Sequence, residues 1–497
     1  MDVDMCIVLD LGGGQAASIA RKVRGERVYC EVLPCDTDAS RIIRRRPKGL
    51  IIAGGAGNPY SDGYKTVSQQ VYELGIPMLG IGRGAGVILK AAGARLKRSM
   101  PGRQMVVTRF SANPLFEGLE DSERMVDRLE DITLPDDFTV IATEEGGWPV
   151  AFADDKHMRW AMEFYPEQND PDGLRILDNF VTGICGCAPD WDLKSFMNSE
   201  MEYIRSKVAD SEVLVSISGG VDSTVCACLM QRALNRPLKC LYVDTGLMRS
   251  GDYDSVKRVI DRMPGLELRL VQARDRFLKS IQGVIDPSIK REVINNEMRR
   301  MLEEYELEAG GGDCLARGTT YDDVMMGDEQ AAYSEKEQLR QSFKAVIEPV
   351  NRLFKDEVRL LGELLGLPDE LTRKQPFPGA GLALRCLGSV DERKLEMLRM
   401  ADRIFMEEIA SCGLDRRIRQ YFAVLTDIKT CDEQNNIGYT LALRAVNWSA
   451  SSSVAQAYRL PYDLLERVVE RVTSEIEGVN RVVYDVTGKP PAGIEWD

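Results

Sequence analysis

Histidine is nearly missing: His157 is the only one in 497 residues. Chemistry that needs an imidazole base must use that residue or do without one. A basic surplus is also missing, since 64 Lys and Arg face 78 Asp and Glu for a net charge of −14. That excludes nonspecific nucleic-acid binding, whose affinity rests on a positive surface. A few local cations and backbone N–H groups would still suffice to hold one nucleotide. No apolar run approaches the roughly 18 residues needed to cross a membrane. The acidic start MDVDMCIVLD does not read as a secretory leader, so a cytoplasmic protein with no membrane partner is expected. Cysteines are present, twelve of them, but without a metal-binding rhythm. The pairs Cys185/Cys187 and Cys226/Cys228 are one residue apart, whereas zinc ribbons use two. They read as reduced, mostly buried thiols.

What is there is an ordinary globular composition, 44% hydrophobic and 29% charged, in a chain long enough for two or three domains. Up to about Ala188, short apolar runs alternate with helical stretches. Strands are expected at Cys6–Leu11, Arg27–Leu33, Gly49–Ala53 and Pro77–Ile81, with helices at Ala16–Val23 and Val87–Ala92. Such alternation predicts an open, mostly parallel sheet. The stretch Cys187–Asp192 reads as a linker. A second α/β unit follows a helix over Ser195–Val208, with strands at Val213–Ile217 and Cys240–Val243 around a helix at Thr224–Ala233. Lys290–Glu308 has helical spacing and ends at the breaker run Gly310-Gly311-Gly312. A third segment carries helices at Asp391–Ala410 and Pro461–Ile476 among mixed strands.

Between the second unit's first strand and helix lies Ser218-Gly219-Gly220-Val221-Asp222-Ser223, followed by Thr224. Two glycines let the backbone approach a phosphate chain, and the first N–H groups of the helix form an anion site. The hydroxyls of Ser218, Ser223 and Thr224 add donors, and Asp222 is the candidate Mg²⁺ ligand. The P-loop lysine is missing, so γ-phosphoryl transfer is not expected. The loop resembles the pyrophosphate loop of the ATP-pyrophosphatase family, which adenylates an oxygen and releases pyrophosphate.

Further segments narrow the resemblance to GMP synthetases. They are Tyr242-Val243-Asp244-Thr245-Gly246-Leu247-Met248-Arg249, Phe354-Lys355-Asp356-Glu357-Val358-Arg359, Leu460-Pro461-Tyr462-Asp463 and Val479-Asn480-Arg481-Val482, together with the tail Lys489-Pro490-Pro491-Ala492-Gly493-Ile494-Glu495-Trp496. The resemblance implies ATP and Mg²⁺ as cofactors, with adenylation of XMP at its C2 oxygen and displacement of AMP by ammonia. It places ATP on residues 218 to 224 and Asp244, and the acceptor nucleotide on Arg385, Lys489, Ile494 and Glu495. It also implies a class I amidotransferase-like open sheet over residues 1–190, an adenine-nucleotide α-hydrolase-like parallel sheet over 195–383, and an α+β dimerisation domain over 384–497, and hence a homodimer.

The first block resembles class I glutamine amidotransferases, in which an elbow reading Gly-Ile-Cys-Tyr-Gly presents a nucleophilic cysteine and a later His-Pro-Glu supplies the base. Here the elbow reads Gly80-Ile81-Gly82-Arg83-Gly84 and the second element Tyr165-Pro166-Glu167. Gly82 and Tyr165 therefore stand at the nucleophile and base positions, and Glu167 is retained with no histidine to orient. A thioester route needs a thiolate and a proton acceptor, so glutaminase activity is expected to be absent. Neither Cys6 nor His157 is expected to substitute.

The family's lid histidines are missing between Val324 and Glu348, and its His-Pro-Phe-Pro-Gly-Pro-Gly reads Gln375-Pro376-Phe377-Pro378-Gly379-Ala380-Gly381. An arginine is lost at Asn436-Ile437-Gly438-Tyr439, a tail threonine is Gly493, and Gln-Gly-Thr reads Arg317-Gly318-Thr319. Three readings follow. The chain is a GMP synthetase fed with ammonia from solution or a separate glutaminase, an ATP-pyrophosphatase for another acceptor, or a nucleotide-binding regulatory paralogue.

Overall fold

Strand β1 (Met5–Asp10) is buried along nearly its whole length, as is β3 (Gly49–Ala53), the continuous apolar signature of parallel strands covered on both faces. In the computed structural model of the protein, residues 3–108, 112–119, 122–166, 171–308, 313–326, 339, 342–448 and 454–496 are described. They form two units, one ending at Asp192, the other comprising Leu193–Trp448 and Val454–Asp497.

The first unit holds a nine-stranded sheet. β2 (Tyr29–Pro34), β1, β3, β4 (Met78–Ile81) and β9 (Arg159–Met162) run parallel in that order. β8 (Pro149–Asp154), β7 (Thr139–Glu144), β5 (Arg95–Thr108) and β6 (Ser122–Thr133) extend it as an antiparallel half. The expected strands are present within one or two residues at each end. The helix expected at Val87–Ala92 instead spans Arg83–Ala91, because the small residues read as a turn already make its first turn. Residues 187–192, expected as a linker, carry no regular structure and lead up to the boundary between the units, with residues 188–190 exposed. Trp191 is buried with its ring 4.7 Å from that of Tyr29.

The second unit holds a parallel sheet in the order β12 (Leu266–Gln272), β11 (Leu238–Asp244), β10 (Val213–Ile217), β13 (Cys314–Ala316), β14 (Ala345–Ile347). The same unit carries a second sheet, in which β15 (Gln420–Cys431), β16 (Ile437–Trp448) and β17 (Ala455–Ala457) are antiparallel and β18 (Val479–Asp485) joins β16 in parallel. The Asp391 carboxylate accepts the Lys394 N–H at 2.8 Å and starts the helix Glu392–Ser411. One apolar core runs from Leu214 and Leu241 through Phe277 to Phe405, Leu441 and Leu464, across the boundary expected at 383/384. Among the described residues no helix is long and apolar enough to cross a membrane.

Candidate functional site

In the second unit β10 ends at Ile217 and the helix Val221–Leu234 begins four residues later. Gly219 takes φ +84° to make the turn, a conformation that favours glycine. The loop hydroxyls hold the loop itself. Ser223 Oγ accepts the Ser218 N–H at 3.1 Å and donates to Gly220 O at 3.2 Å, and Thr224 Oγ1 donates to the same carbonyl at 3.0 Å. The helix N-terminus is thereby aimed along the exit of β10. Val221, placed in the loop by sequence, is the first helical residue and buried. Gly318 packs on the far side of this turn, where a Cβ would lie 2.5 Å from the Ser223 nitrogen. The Arg317-Gly318-Thr319 stretch thus supports the loop from β13.

Two residues not singled out from sequence complete the cradle. Lys374 Nζ donates to Gly219 O at 3.0 Å and to Asp252 Oδ1 at 2.7 Å. Lys374 directly precedes the Gln375-Pro376-Phe377 segment, and that position was the only signal available. Asp244 closes β11 at the same sheet edge, where its Oδ1 accepts the Gly246 N–H at 2.9 Å.

Asp222 sits on the first turn of the helix with Oδ1 buried and unpartnered. Burial pushes its carboxyl up to about 6, against the pull of Lys355, while Asp323 and Asp322 push the same way as burial and Arg359 opposes. Burial works against the Lys355 charge, but Asp323 and Asp222 hold it above its ordinary range. A buried carboxylate oxygen without a donor, beside further carboxylates, suits an oxygen-preferring divalent cation. Among the described residues no preformed group of three ligands exists, so a cation here would need ligands from a bound phosphate chain.

The expected acceptor residues lie on and under the C-terminal tail. Arg385 is fully buried and grips Glu495 through two hydrogen bonds of 2.9 and 2.7 Å, with its guanidinium 4.0 Å from the Phe422 ring centroid. Its Nη1 is buried without a partner. Glu495 also accepts from Gln420 Nε2 at 2.8 Å. Ile494 packs with Trp496 on Phe422, Val424 and Ala442. Lys489 pairs through its backbone with Ala455. A cleft of about 550 Å³ beside these residues is lined by Tyr484, Asp485, Thr487, Gly493, Glu495 and Trp496.

In the first unit Gly82 follows β4 with φ +58° and ψ −114°, and the flanking glycines explain how that turn fits. A Cβ on Gly80 would lie 2.6 Å from Gly84 O, and one on Gly84 would lie 1.9 Å from Ile52 O. The space a side chain at position 82 would enter is filled by Tyr165. A Cβ there would lie 2.1 Å from Tyr165 Cζ and 2.2 Å from its hydroxyl. That hydroxyl accepts the Arg83 N–H at 3.4 Å. The Gly55 N–H, on the turn after β3, donates to Gly12 O at 2.6 Å. Glu167 lies outside the described residues.

Neither considered substitute is near the elbow. Cys6 sits early on β1, beside Gly49 at the start of β3, at the opposite edge of the parallel sheet from Gly82. Its contact with Cys185, and burial beyond it, hold the thiol well above its usual range. His157 caps the exposed turn between β8 and β9, its Nδ1 2.7 Å from Asp154 Oδ2.

Comparison with known proteins places family matches on each region. Residues 7–184 match the class I glutamine amidotransferase family, 204–379 the asparagine synthase family and 407–496 the GMP synthase C-terminal domain. A glutamine-hydrolysing GMP synthase of Caldicellulosiruptor saccharolyticus is 40% identical over the full length of both chains. One from Acetivibrio thermocellus is 39% identical, also over the full length of both. Among solved structures, a glutamine amidotransferase from Thermotoga maritima is 15% identical with a TM-score of 0.29, covering 38% of this chain and 88% of its own.

Proposed function

The chain belongs to the GMP synthase family, and from that premise we propose that it aminates XMP to GMP with ATP, using ammonia it does not make from glutamine. In the reaction, the acceptor's C2 oxygen bonds to the α-phosphorus of ATP and pyrophosphate leaves. Ammonia then adds at C2, the C–O bond breaks, AMP departs and a proton is released. No side-chain nucleophile takes part, so a chain with one histidine loses nothing it needs there.

What this chain supplies is positioning and charge. The loop from Ser218 to Thr224 offers backbone N–H groups at a helix N-terminus, held in shape by its own hydroxyls. Lys374 fixes the loop through Gly219 O and brings a cation to its rim. Asp222 would hold Mg²⁺, which when bound offsets phosphate charge. Arg385 and Glu495 tie the tail to the sheet beneath the acceptor cleft.

The observation that carries the ammonia half of the reading is the Tyr165 ring lying where a nucleophile's side chain would be. Tyrosine, with a reference pKa of about 10, is a poor base near pH 7, and here its hydroxyl is turned onto the Arg83 N–H. The test is GMP formation from XMP and ATP with ammonium, then with glutamine alone. Product with ammonium and none with glutamine is expected. Equal rates with glutamine would sink the ammonia reading. Pyrophosphate release with another purine nucleotide but not XMP would favour a different acceptor.

A further inference from the structure

The N-terminal edge of the parallel sheet gathers sulfur that the amination reaction does not use. Cys6 on β1 is in register with Gly49 on β3 and Cys30 on β2. The chain returns to this edge at Cys185-Gly186-Cys187. Cys6 Sγ lies 3.7 Å from Cys187 Sγ, and Cys185 Sγ shares with it the space over Gly49. A Cβ on Gly49 would fall 2.4 Å from Cys185 Sγ and 3.1 Å from Cys6 Sγ, so the glycine makes room for both sulfurs. The returning segment is pinned in place. Lys48 Nζ bonds Gly186 O at 2.9 Å and Asp4 Oδ2, and Asp4 Oδ2 accepts the Ala188 N–H at 2.9 Å.

The three thiols differ in access. Cys6 and Cys187 are buried, whereas Cys185 is partly open to solvent next to exposed Gly186. Among the described residues no three of Cys, His, Asp and Glu are grouped to hold a metal ion. We propose that Cys185, Cys6 and Cys187 form a peroxide-responsive dithiol site, in which a hydroperoxide reacts at Cys185 and Cys6 closes a disulfide.

The steps balance without a further reagent. The Cys185 thiolate attacks the O–O bond of the hydroperoxide, giving a sulfenic acid and an alcohol, or water from hydrogen peroxide. The Cys6 thiol then displaces hydroxide from that sulfur, forming the S–S bond and a second water. Cys187, with its Sγ 3.7 Å from that of Cys6, can take over the bond by exchange. Closing from van der Waals contact to the roughly 2.05 Å of a disulfide asks for a small backbone shift. Gly186, at φ +64° and exposed, is the hinge for it. The product would staple residues 185–187 to the first strand.

The test uses the full chain with the two exposed cysteines, Cys412 and Cys431, replaced by Ser so that they do not compete. The reduced protein is titrated with hydrogen peroxide. Free thiols are counted after denaturation, and peptides are mapped without reductant. Loss of two thiols with a crosslink from Cys6 to Cys185 or Cys187, restored by dithiothreitol, is expected. Cys185→Ser should slow that loss at least tenfold, and Cys6→Ser should let Cys185 proceed to the sulfinic acid. No Cys6 crosslink, or an unchanged rate in Cys185→Ser, would overturn the site. Glutamine and ammonium usage would be untouched by either outcome.

Discussion

Restoring a cysteine at position 82 should fail alone and succeed only when Tyr165 is changed with it. A Cβ at 82 would sit 2.1, 2.2 and 2.5 Å from Tyr165 Cζ, Oη and Cε2, far inside van der Waals contact, so Gly82→Cys must expel the ring. The backbone at 82, with φ +58°, adds about 1–3 kcal/mol of strain for any residue but glycine. At roughly 2–4 °C per kcal/mol for a unit of this size, Gly82→Cys should melt about 2–12 °C lower. Tyr165→His removes the overlap and puts an imidazole with a reference pKa of about 6.5 at the base position. A positioned base contributes about 10²–10⁴ in rate, and the double variant should exceed Gly82→Cys by that margin. Glutamate release from glutamine, with ATP and XMP present, is the assay. Wild-type release at a rate matching GMP formation, or a single variant as fast as the double, would refute the steric reasoning.

Three further outcomes follow from the second unit. Of the two charge-assisted bonds that Lys374→Met removes, the one to Gly219 O holds the phosphate loop itself, at about 1.5–3 kcal/mol for a charged hydrogen bond. The KM for ATP should therefore rise about 10–100-fold while that for XMP stays within twofold, as read by initial rates. Asp222, with its carboxyl pushed up to about 6 against an ordinary 3.8, must lose a proton to meet a cation. Mg·ATP affinity should thus climb about tenfold per unit as pH rises toward 6 and level off above it, and Asp222→Asn should flatten the profile in calorimetric titration. Stability of the free protein runs the other way, because the folded state holds the extra proton between those values and loses stability as pH rises through that window. Glu495→Gln leaves the fully buried Arg385 guanidinium without its countercharge, a loss of about 3–5 kcal/mol visible in urea unfolding.

Much of the scaffold was legible because both units are built on parallel strands buried on two faces. Such strands announce themselves as short apolar runs, and Val213–Ile217 and Gly49–Ala53 came out to the residue. Helix starts were less legible where glycine or a small residue opens the first turn, as at Arg83 and Val221. Local propensity disfavours glycine in helices, but tertiary packing under Ile52 demands it. Pair relations escaped altogether. Arg385 and Glu495 both read as ligands for an acceptor, whereas the fold brings them together across 110 residues. Gly82 and Tyr165 read as two separate losses, yet sterically they are one, since the ring needs the hydrogen of a glycine to lie where it does.

That coupling bears on why an elbow without a nucleophile keeps its shape. The turn at Gly82 is often read as strain held for catalysis, but here glycine carries it with little strain. The glycines on either side answer to packing: Gly84 lets the helix Arg83–Ala91 lie against the Ile52 carbonyl, and Gly80 lets the strand pass under the helix's first turn. Replacing either with alanine would push the helix off the sheet whatever the chemistry at position 82. Persistence of the elbow is therefore a folding requirement and carries no information about glutamine hydrolysis. The informative quantity is the volume beside the turn. A working thiol needs that volume open to a substrate amide, with a backbone N–H pointed into it. Here the ring of Tyr165 occupies it and its hydroxyl accepts the Arg83 N–H, so one side chain fills the space beside the turn and engages the first backbone N–H after it.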